Sequence, residues 1–526
     1  MSDDHPNKNV KKANDVAHNQ VISNFSPWRL LLILSSISIM VMYVETMLLP
    51  AIPDIISEFN ITYSMSSWVF TSFIISALIS TTIVSKLSDI YGRKVILLMV
   101  LTIYIVGIIG GAISNNIFML IVFRIIQGIG MSVFPIVFAI IQTQFPKDKI
   151  AIGQGTLASM FSFGGIIGLI IGGNMTHNFG WHMTFFSILP IVISITIIIK
   201  YFVIIESKLP VTNRESDPLT PLSNKAVGIQ KRISVPSNMI SNFDIKGTFI
   251  LAVMIASFIF ALTLIQTENS QDKLSNIFIP SCLFVVSFIS LFIFIIVERR
   301  SSLPLINLNL ITIKPVLLTN IIILIWGIGT FTIFQTIPVL VRTPIPSGIG
   351  GNVLDVVYLT LPFSIMSLIF GPTSGFIISK IGSFKVILTG AVITTFGFFS
   401  ILMLHTNAIQ IALNLAVIGS GLSLLNVGQI NINTTSTPIK FIGISFGVNT
   451  LFRFIGSAIG PAIAGMFMQT NQTIMHTSYS VKTLSFPSAE SFDNIFLCIF
   501  ILAAVTIFLS FMIKKGSVNK MERLNK

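Results

Sequence analysis

Fourteen apolar runs, each about long enough to cross the hydrocarbon core of a bilayer as a helix, recur from one end of this chain to the other. They cover residues 28–49, 66–84, 95–113, 117–140, 153–173, 184–205, 246–267, 276–297, 316–341, 354–378, 385–404, 408–430, 443–468 and 493–513. Such runs have to be helices, because an open strand leaves its backbone polar groups unsatisfied in lipid. The chain therefore reads as an all-α integral membrane protein. Composition agrees: of 526 residues, 53% are hydrophobic and 10% charged, against about 25% charged in soluble domains. The net charge of +13 does not point to nucleic acid, since the charges sit in short loops and not on one face. Cys282 and Cys498 lie far apart inside apolar segments, so no disulfide framework is expected. The first 27 residues are polar and lack an apolar core, so no cleavable signal peptide is expected and the first span directs insertion.

Lysine and arginine set the expected orientation. An even number of spans puts both termini on one side. If that side is cytoplasmic, the inner segments collect Lys8, Lys11, Lys12, Lys86, Arg93, Lys94, Lys147, Lys149, Lys208, Arg214, Lys225, Lys231, Arg232, Arg299, Arg300 and the basic tail. The outer loops hold only Lys273, Arg342 and Lys482. Both termini are thus expected in the cytoplasm. The expected organisation is an N-terminal tail (1–27), a six-helix bundle (28–205), a linker rich in Ser, Pro and Asn (206–245), two inserted helices (246–297), a second six-helix bundle (298–513) and a tail (514–526).

The division rests on an internal repeat. Ser85-Lys-Leu-Ser-Asp89-Ile-Tyr-Gly92-Arg93-Lys94 follows the second run, and Gly375-Phe-Ile-Ile-Ser379-Lys380-Ile-Gly382-Ser-Phe-Lys385 follows the tenth. The fifth run carries Gly164, Gly168 and Gly172 at four-residue spacing; the thirteenth carries Gly456 and Gly460. Both pairs are offset by about 290 residues, a shift of eight helices. Two six-helix repeats of like orientation with two helices between them are the simplest account.

These residues resemble the major facilitator superfamily, and within it the fourteen-helix drug:proton antiporters. Lys86-Leu-Ser-Asp89-Ile-Tyr-Gly92-Arg93-Lys94 is similar to that superfamily's loop 2–3 signature, with Ser85 at the usual first Gly. Leu120-x3-Arg124-Ile-Ile-Gln127-Gly128-Ile-Gly130 resembles its fourth-helix motif. Glu298-Arg299-Arg300 with Pro304-Leu305-Ile306, and Asn449-x3-Arg453-x2-Gly456-x3-Gly460, resemble segments of the fourteen-helix group. The resemblance implies a major facilitator fold and proton-coupled export of drugs or other small amphipathic molecules by alternating access. A metabolite facilitator or symporter of the same fold is the alternative, and a non-transporting membrane sensor a third reading.

Glu45 is the first candidate for proton coupling, as the one acidic residue well inside a run. A carboxylate there costs about 2.5–3.5 kcal/mol on insertion scales and usually marks a proton or substrate path. Many relatives in the resembled group have an Asp near this place, where this chain has Val44 and Glu45. Arg124, in the middle of the fourth run, cannot shed its charge and needs acceptors. Glu45 is one candidate acceptor and backbone carbonyls the other; the resemblance implies a part for Arg124 in proton coupling. Gln127 lies at i+3 on the same face, beside Gly128. Asp89, Gly92 and Arg93 form the loop signature, for which the resemblance implies conformational gating. Gly92 permits a tight turn. Gly164, Gly168 and Gly172 resemble an antiporter motif and equally fit plain helix packing, with Leu169 where the motif has Pro. Arg453, Trp326 and Gln429 are candidates for the substrate cavity or for helix packing, as are Tyr43, Gln335 and Asn426. His182, after Trp181, reads as interfacial.

No Gly-Lys dipeptide occurs, so no P-loop of the usual form is present. No His-Glu-x-x-His, metal-spaced Cys pair or nucleophile elbow occurs, so neither an enzyme nor a metal site nor a cofactor is expected. The expected partners are a small molecule, protons and the lipid bilayer, with a monomer as the working unit. The Ile- and Asn-rich composition suggests an AT-rich prokaryotic genome and hence the cell membrane.

Overall fold

In the computed structural model the described residues are 27–145, 150–202, 245–264, 273–301, 313–437, 442–476 and 483–524. Residues 1–26 of the N-terminal tail, residues 206–244 of the expected linker 206–245 and Pro304-Leu305-Ile306 lie outside them, as do the side chains of Lys86 and Asp89. The helices are α1 (Pro27–Thr46), α2 (Ile52–Phe59), α3 (Tyr63–Tyr91), α4 (Arg93–Ala112), α5 (Ile117–Gly128), α6 (Val133–Gln144), α7 (Ile150–Phe179) and α8 (His182–Phe202). They continue with α9 (Ile245–Leu264), α10 (Lys273–Arg300), α11 (Lys314–Arg342), α12 (Val353–Ile381), α13 (Ser383–Met403), α14 (Ala408–Ser436), α15 (Ile442–Thr470) and α16 (Ala489–Leu524). Among the described residues, 12 helical segments are long and apolar enough to cross a membrane. The fifth and seventh sequence runs correspond to α7, a 30-residue helix, and to α9, whose apolar stretch Phe249–Leu262 is shorter.

Three local features depart from the sequence reading. The first run ends at Thr46, and the buried turn before Pro53 leads into the short α2. The fourth run is broken by a 3-10 turn, Ile129–Ser132, between α5 and α6. Glycines flank and enter the break where it touches α3 and α4: a Cβ at Gly128 would fall 2.2 Å from the Phe73 carbonyl oxygen, and one at Gly130 2.2 Å from the Tyr104 ring. The loop 469–492 contains a two-stranded antiparallel hairpin, β1 (Gln472–His476) with β2 (Thr483–Pro487). Its strands are too short and too polar to register as runs.

Glycine contacts recur at the same 290-residue offset. Gly128 abuts the Phe73 carbonyl, and Gly419 the Phe363 carbonyl. Gly164 abuts Ile39 on α1, and Gly456 abuts Leu324 on α11. Gly92 and Gly382 both hold positive φ, 93° and 85°, at the α3–α4 and α12–α13 turns. A side chain would strain either position.

Two seams join the N-terminal and C-terminal groups of helices. One is α3 against α15, the other α7 against α12. A glycine closes each: Gly465 lies against Tyr63 and Ser64, and Gly173 against Val357. We call the side carrying Pro27 the near face and the opposite side the far face. From the far face inward, the α2–α3 segment is tied to the C-terminal helices by a series of polar contacts. Arg342 grips Asp54 through two contacts of 2.7 and 3.2 Å. The Tyr63 amide donates to Gln469 Oε1 (3.1 Å), and Ser64 Oγ to the Gly465 carbonyl (3.2 Å). Gln335 Nε2 donates to Ser66 Oγ (2.8 Å), and Thr71 Oγ1 to the Ala458 carbonyl (3.1 Å).

The pair α9–α10 packs on one seam only. α9 touches both α3 and α15, with Trp68 edge-on to Phe260 at 5.9 Å. Among the described side chains of α3, Tyr91, at the near-face end, is the large apolar one left exposed. Its counterpart α12 exposes Tyr358, Ile365, Ile369 and Phe376.

Candidate functional site

Glu45 occupies the last turn of α1, yet it is buried, at 7% exposure. The following residues Met47, Leu48, Leu49, Ala51 and Ile52 are buried as well and cover it from the far face. Its Oε2 is fully enclosed and has no hydrogen-bond partner. No ion pair within 4 Å reaches it among the described residues; Arg124 and Arg453 act on it electrostatically from further off.

Arg124 projects from α5 and is completely buried. Its Nε donates to the Val69 carbonyl of α3 (2.9 Å), and its Nη1 to the Val44 carbonyl (3.3 Å) and to Gln127 Oε1 (3.1 Å). The guanidinium lies 4.4 Å from the centre of the Phe73 ring. Nη2 has no acceptor. The contact with Val44 places the guanidinium beside Glu45 without a direct bridge to it. Gln127 in turn donates through Nε2 to the Gly107 carbonyl (2.7 Å). It is fully buried inside the N-terminal half.

Arg453 enters from the other half, on α15, eleven residues into that helix. It is half-buried, its guanidinium makes no hydrogen bond among the described residues, and it stands 5.2 Å from the Phe454 ring. Thr71, two residues beyond the Val69 that Arg124 grips, bonds Ala458, five residues past Arg453. One carboxylate and two guanidiniums from both halves thus converge. Tyr104, on α4, belongs with them. It is buried, its hydroxyl has no partner, and it interacts electrostatically with Arg124 and Glu45. Sequence reasoning missed it, because a tyrosine in an apolar run carries no charge to stand out.

The other candidates fall elsewhere. Gly164, Gly168 and Gly172 press on the backbone of Ile39, Tyr43 and Met47, all on one face of α1 and its extension. They bring α7 against α1 within a half. Gly128 does the same for α5 and α3. Arg93 donates to the Ala139 carbonyl (2.8 Å), tying the α3–α4 turn to α6. Trp326 donates to the Leu422 carbonyl (3.0 Å) and lines a small, mostly apolar pocket with Thr394 and Phe398, inside the C-terminal half. Gln429 joins an amide cluster: Asn449 Nδ2 donates to Gln429 Oε1 (3.0 Å) and to Asn320 Oδ1 (2.9 Å). Where the N-terminal half buries an arginine, the C-terminal half buries neutral amides. Tyr43 bonds Ser187 (2.6 Å), and Gln335 bonds Ser66 across the halves. His182 stacks on Trp181 and meets the Ser114 carbonyl at 2.9 Å, while Trp181 donates to Glu58 (2.6 Å).

The family model of the Major Facilitator Superfamily matches residues 34–461. The multidrug transporter protein MdtP of Bacillus subtilis (strain 168) is 26% identical over 445 residues, which take in 84% of this chain and 75% of the relative. Among solved structures, the fold is similar to that of the peptide transporter POT, with a TM-score of 0.64 at 14% identity, over 93% of this chain and 94% of the other. It is also similar to that of the nucleoside transporter NupG, with a TM-score of 0.56 at 12% identity, over 92% and 99% of the two chains.

Proposed function

The chain belongs to the Major Facilitator Superfamily, and on that premise we propose that it couples proton movement to the transport of a small organic molecule through Glu45. Secondary active transport of small molecules across a prokaryotic cell membrane is its activity at the level of the family, and it is a transporter rather than an enzyme. What supports the finer reading is one observation: a buried carboxylate without a hydrogen-bond partner, between arginines contributed by two halves. Glu45 takes a proton when the site opens to one side and gives it up when it opens to the other. Arg124, held by Gln127, stays charged throughout and responds to the state of Glu45. The halves rock about the two seams, and the far-face contacts mark the closed side of this arrangement. The positive-inside bias supports a cytoplasmic near face. Fourteen spans in two repeats, with α9 and α10 inserted, form the architecture that goes with this reading.

Symport or facilitated passage of a metabolite fits the site better than drug antiport does. Of the motifs that resemble antiporters, the span-five glycines pack within one half. Drug export is the second reading, favoured by the multidrug relative that covers most of the chain.

The test is proton movement in liposomes that carry the purified protein and a pH-sensitive dye inside, with lipophilic drugs and organic acids added one at a time. Substrate-dependent proton movement is expected for the wild type. It should vanish in Glu45→Gln with insertion and folding unchanged. Coupling retained in that variant would remove Glu45 from the mechanism.

A further inference from the structure

The charge of the central site does not balance. Glu45 is the acid among the transmembrane helices; the other acidic side chains described sit at helix ends. Asp54 pairs with Arg342, Glu58 accepts from Trp181, Asp355 caps its own helix, and Asp493 lies beside His405. Glu490 opens α16 and Glu298 closes α10. Facing Glu45 are Arg124 and Tyr104 from the N-terminal half and Arg453 from the C-terminal half. With Glu45 ionised the site carries one uncompensated positive charge, and with Glu45 protonated it carries two. Uncompensated charge away from water is costly. Two cationic groups also have hydrogen-bonding capacity left over: Arg124 Nη2, fully buried without an acceptor, and the half-buried guanidinium of Arg453, which makes no hydrogen bond among the described residues. A planar guanidinium with free N–H groups matches an oxyanion in shape and charge.

We propose that the substrate is an amphipathic organic anion, a carboxylate or sulfonate, whose oxyanion binds between Arg124 and Arg453. The proposal rests on the reading of Glu45 as the proton site. It adds a direction to the coupling. An ionised Glu45 competes with the substrate for the same two guanidiniums, and a protonated Glu45 does not. Anion and proton therefore load together and leave together. The proton passes from water onto the Glu45 carboxylate on one side and returns to water on the other, and no other bond changes. The loaded, protonated site and the empty, ionised site then carry the same net charge. Both cross between the two facing states on equal electrostatic terms, which is the condition for symport. The substrate's oxyanion also bridges the two halves, so it reports occupancy to both.

The test uses permanent anions, which do not carry protons through lipid unaided. Liposomes bearing the full chain receive benzenesulfonate, naphthalene-1-sulfonate or octane-1-sulfonate outside, beside the neutral naphthalene-1-sulfonamide and the cation tetraphenylphosphonium. Inward sulfonate movement with acidification of the lumen is expected, and no response to the amide or the cation. Arg453→Gln should raise the half-saturating sulfonate concentration roughly ten- to hundredfold, the usual weight of a charge-assisted hydrogen bond. Arg453→Lys should recover part of that loss. Glu45→Gln should bind sulfonate at least as tightly as the wild type, with an affinity independent of pH, while moving no protons. Proton movement driven by tetraphenylphosphonium and not by sulfonates overturns the anion site and leaves Glu45's coupling role intact. Sulfonate uptake without protons keeps the anion site and overturns the coupling role and the symport. Folded protein that neither binds nor moves any of the sulfonates overturns the proposal outright.

Discussion

Arg124 shows how much a single side chain can hold in place. Its Nε and Nη1 serve the Val69 carbonyl, the Val44 carbonyl and Gln127 at once. These contacts fix α3 and the end of α1 relative to α5. A lysine keeps the charge but has one nitrogen, without the planar fork. Arg124→Lys is therefore expected to insert normally and to transport about ten to a hundred times more slowly, measured as initial uptake per inserted molecule. Near-normal uptake would mean that charge alone matters at this position. Glu45 and Arg124 were legible in the sequence because charge inside an apolar run is conspicuous. Tyr104, Asn320 and Asn449 were not, because uncharged polar residues are frequent in such runs. Only the packing of α4, α11 and α15 gives these three their neighbours.

At the scale of elements, glycines divide into two kinds that the sequence pattern alone does not separate. Gly164 faces Ile39 within a half, where a Cβ would sit 2.5 Å from the carbonyl oxygen. Gly465 faces Ser64 and Tyr63 across a seam, where a Cβ would sit 3.0 Å from the Ser64 Cα and from the Tyr63 carbonyl oxygen. Overpacking costs about 1–3 kcal/mol. At Gly164 that cost falls on the fold, and at Gly465 on the closed far face. Gly164→Val should lower the yield of folded protein. Gly465→Val should preserve yield and raise labelling of a cysteine at Gln469 by an impermeant maleimide, about five- to a hundredfold, in a background lacking Cys282 and Cys498. Equal yields for both variants, with no change in labelling, would contradict this division. Helix starts came through from hydropathy to within a few residues, while α3, α7, α14 and α16 run past the ends of their apolar runs, to Tyr91, Phe179, Ser436 and Leu524. The 3-10 break after Gly128 and the hairpin at Gln472–Pro487 did not, because close approach and short polar pairing leave no periodic trace.

For the whole molecule, the Asp54–Arg342 pair is the outermost tie between the halves. Both side chains are about a quarter exposed, at 29% and 26%. Solvent screening therefore limits a bidentate pair of this kind to roughly 1 kcal/mol. Breaking it should favour opening of the far face about fivefold, without unfolding. Asp54→Ala and Arg342→Ala are each expected to raise the labelling of a far-face cysteine, and the double variant to raise it no further than either one. Additive effects would mean that the two residues act separately.

The arrangement of α9 and α10 has a consequence for traffic. In a bundle whose halves were wrapped alike, either seam could serve as a side door from the bilayer. Here α9 stands across α3 and α15 like a doorpost, and the α7–α12 seam has no such neighbour among the described helices. The bundle thus has a front and a back. A greasy solute dissolved in the leaflet meets a shut wall on one side and, on the other, a flank that carries the exposed side chains of Phe163, Tyr358 and Ile365.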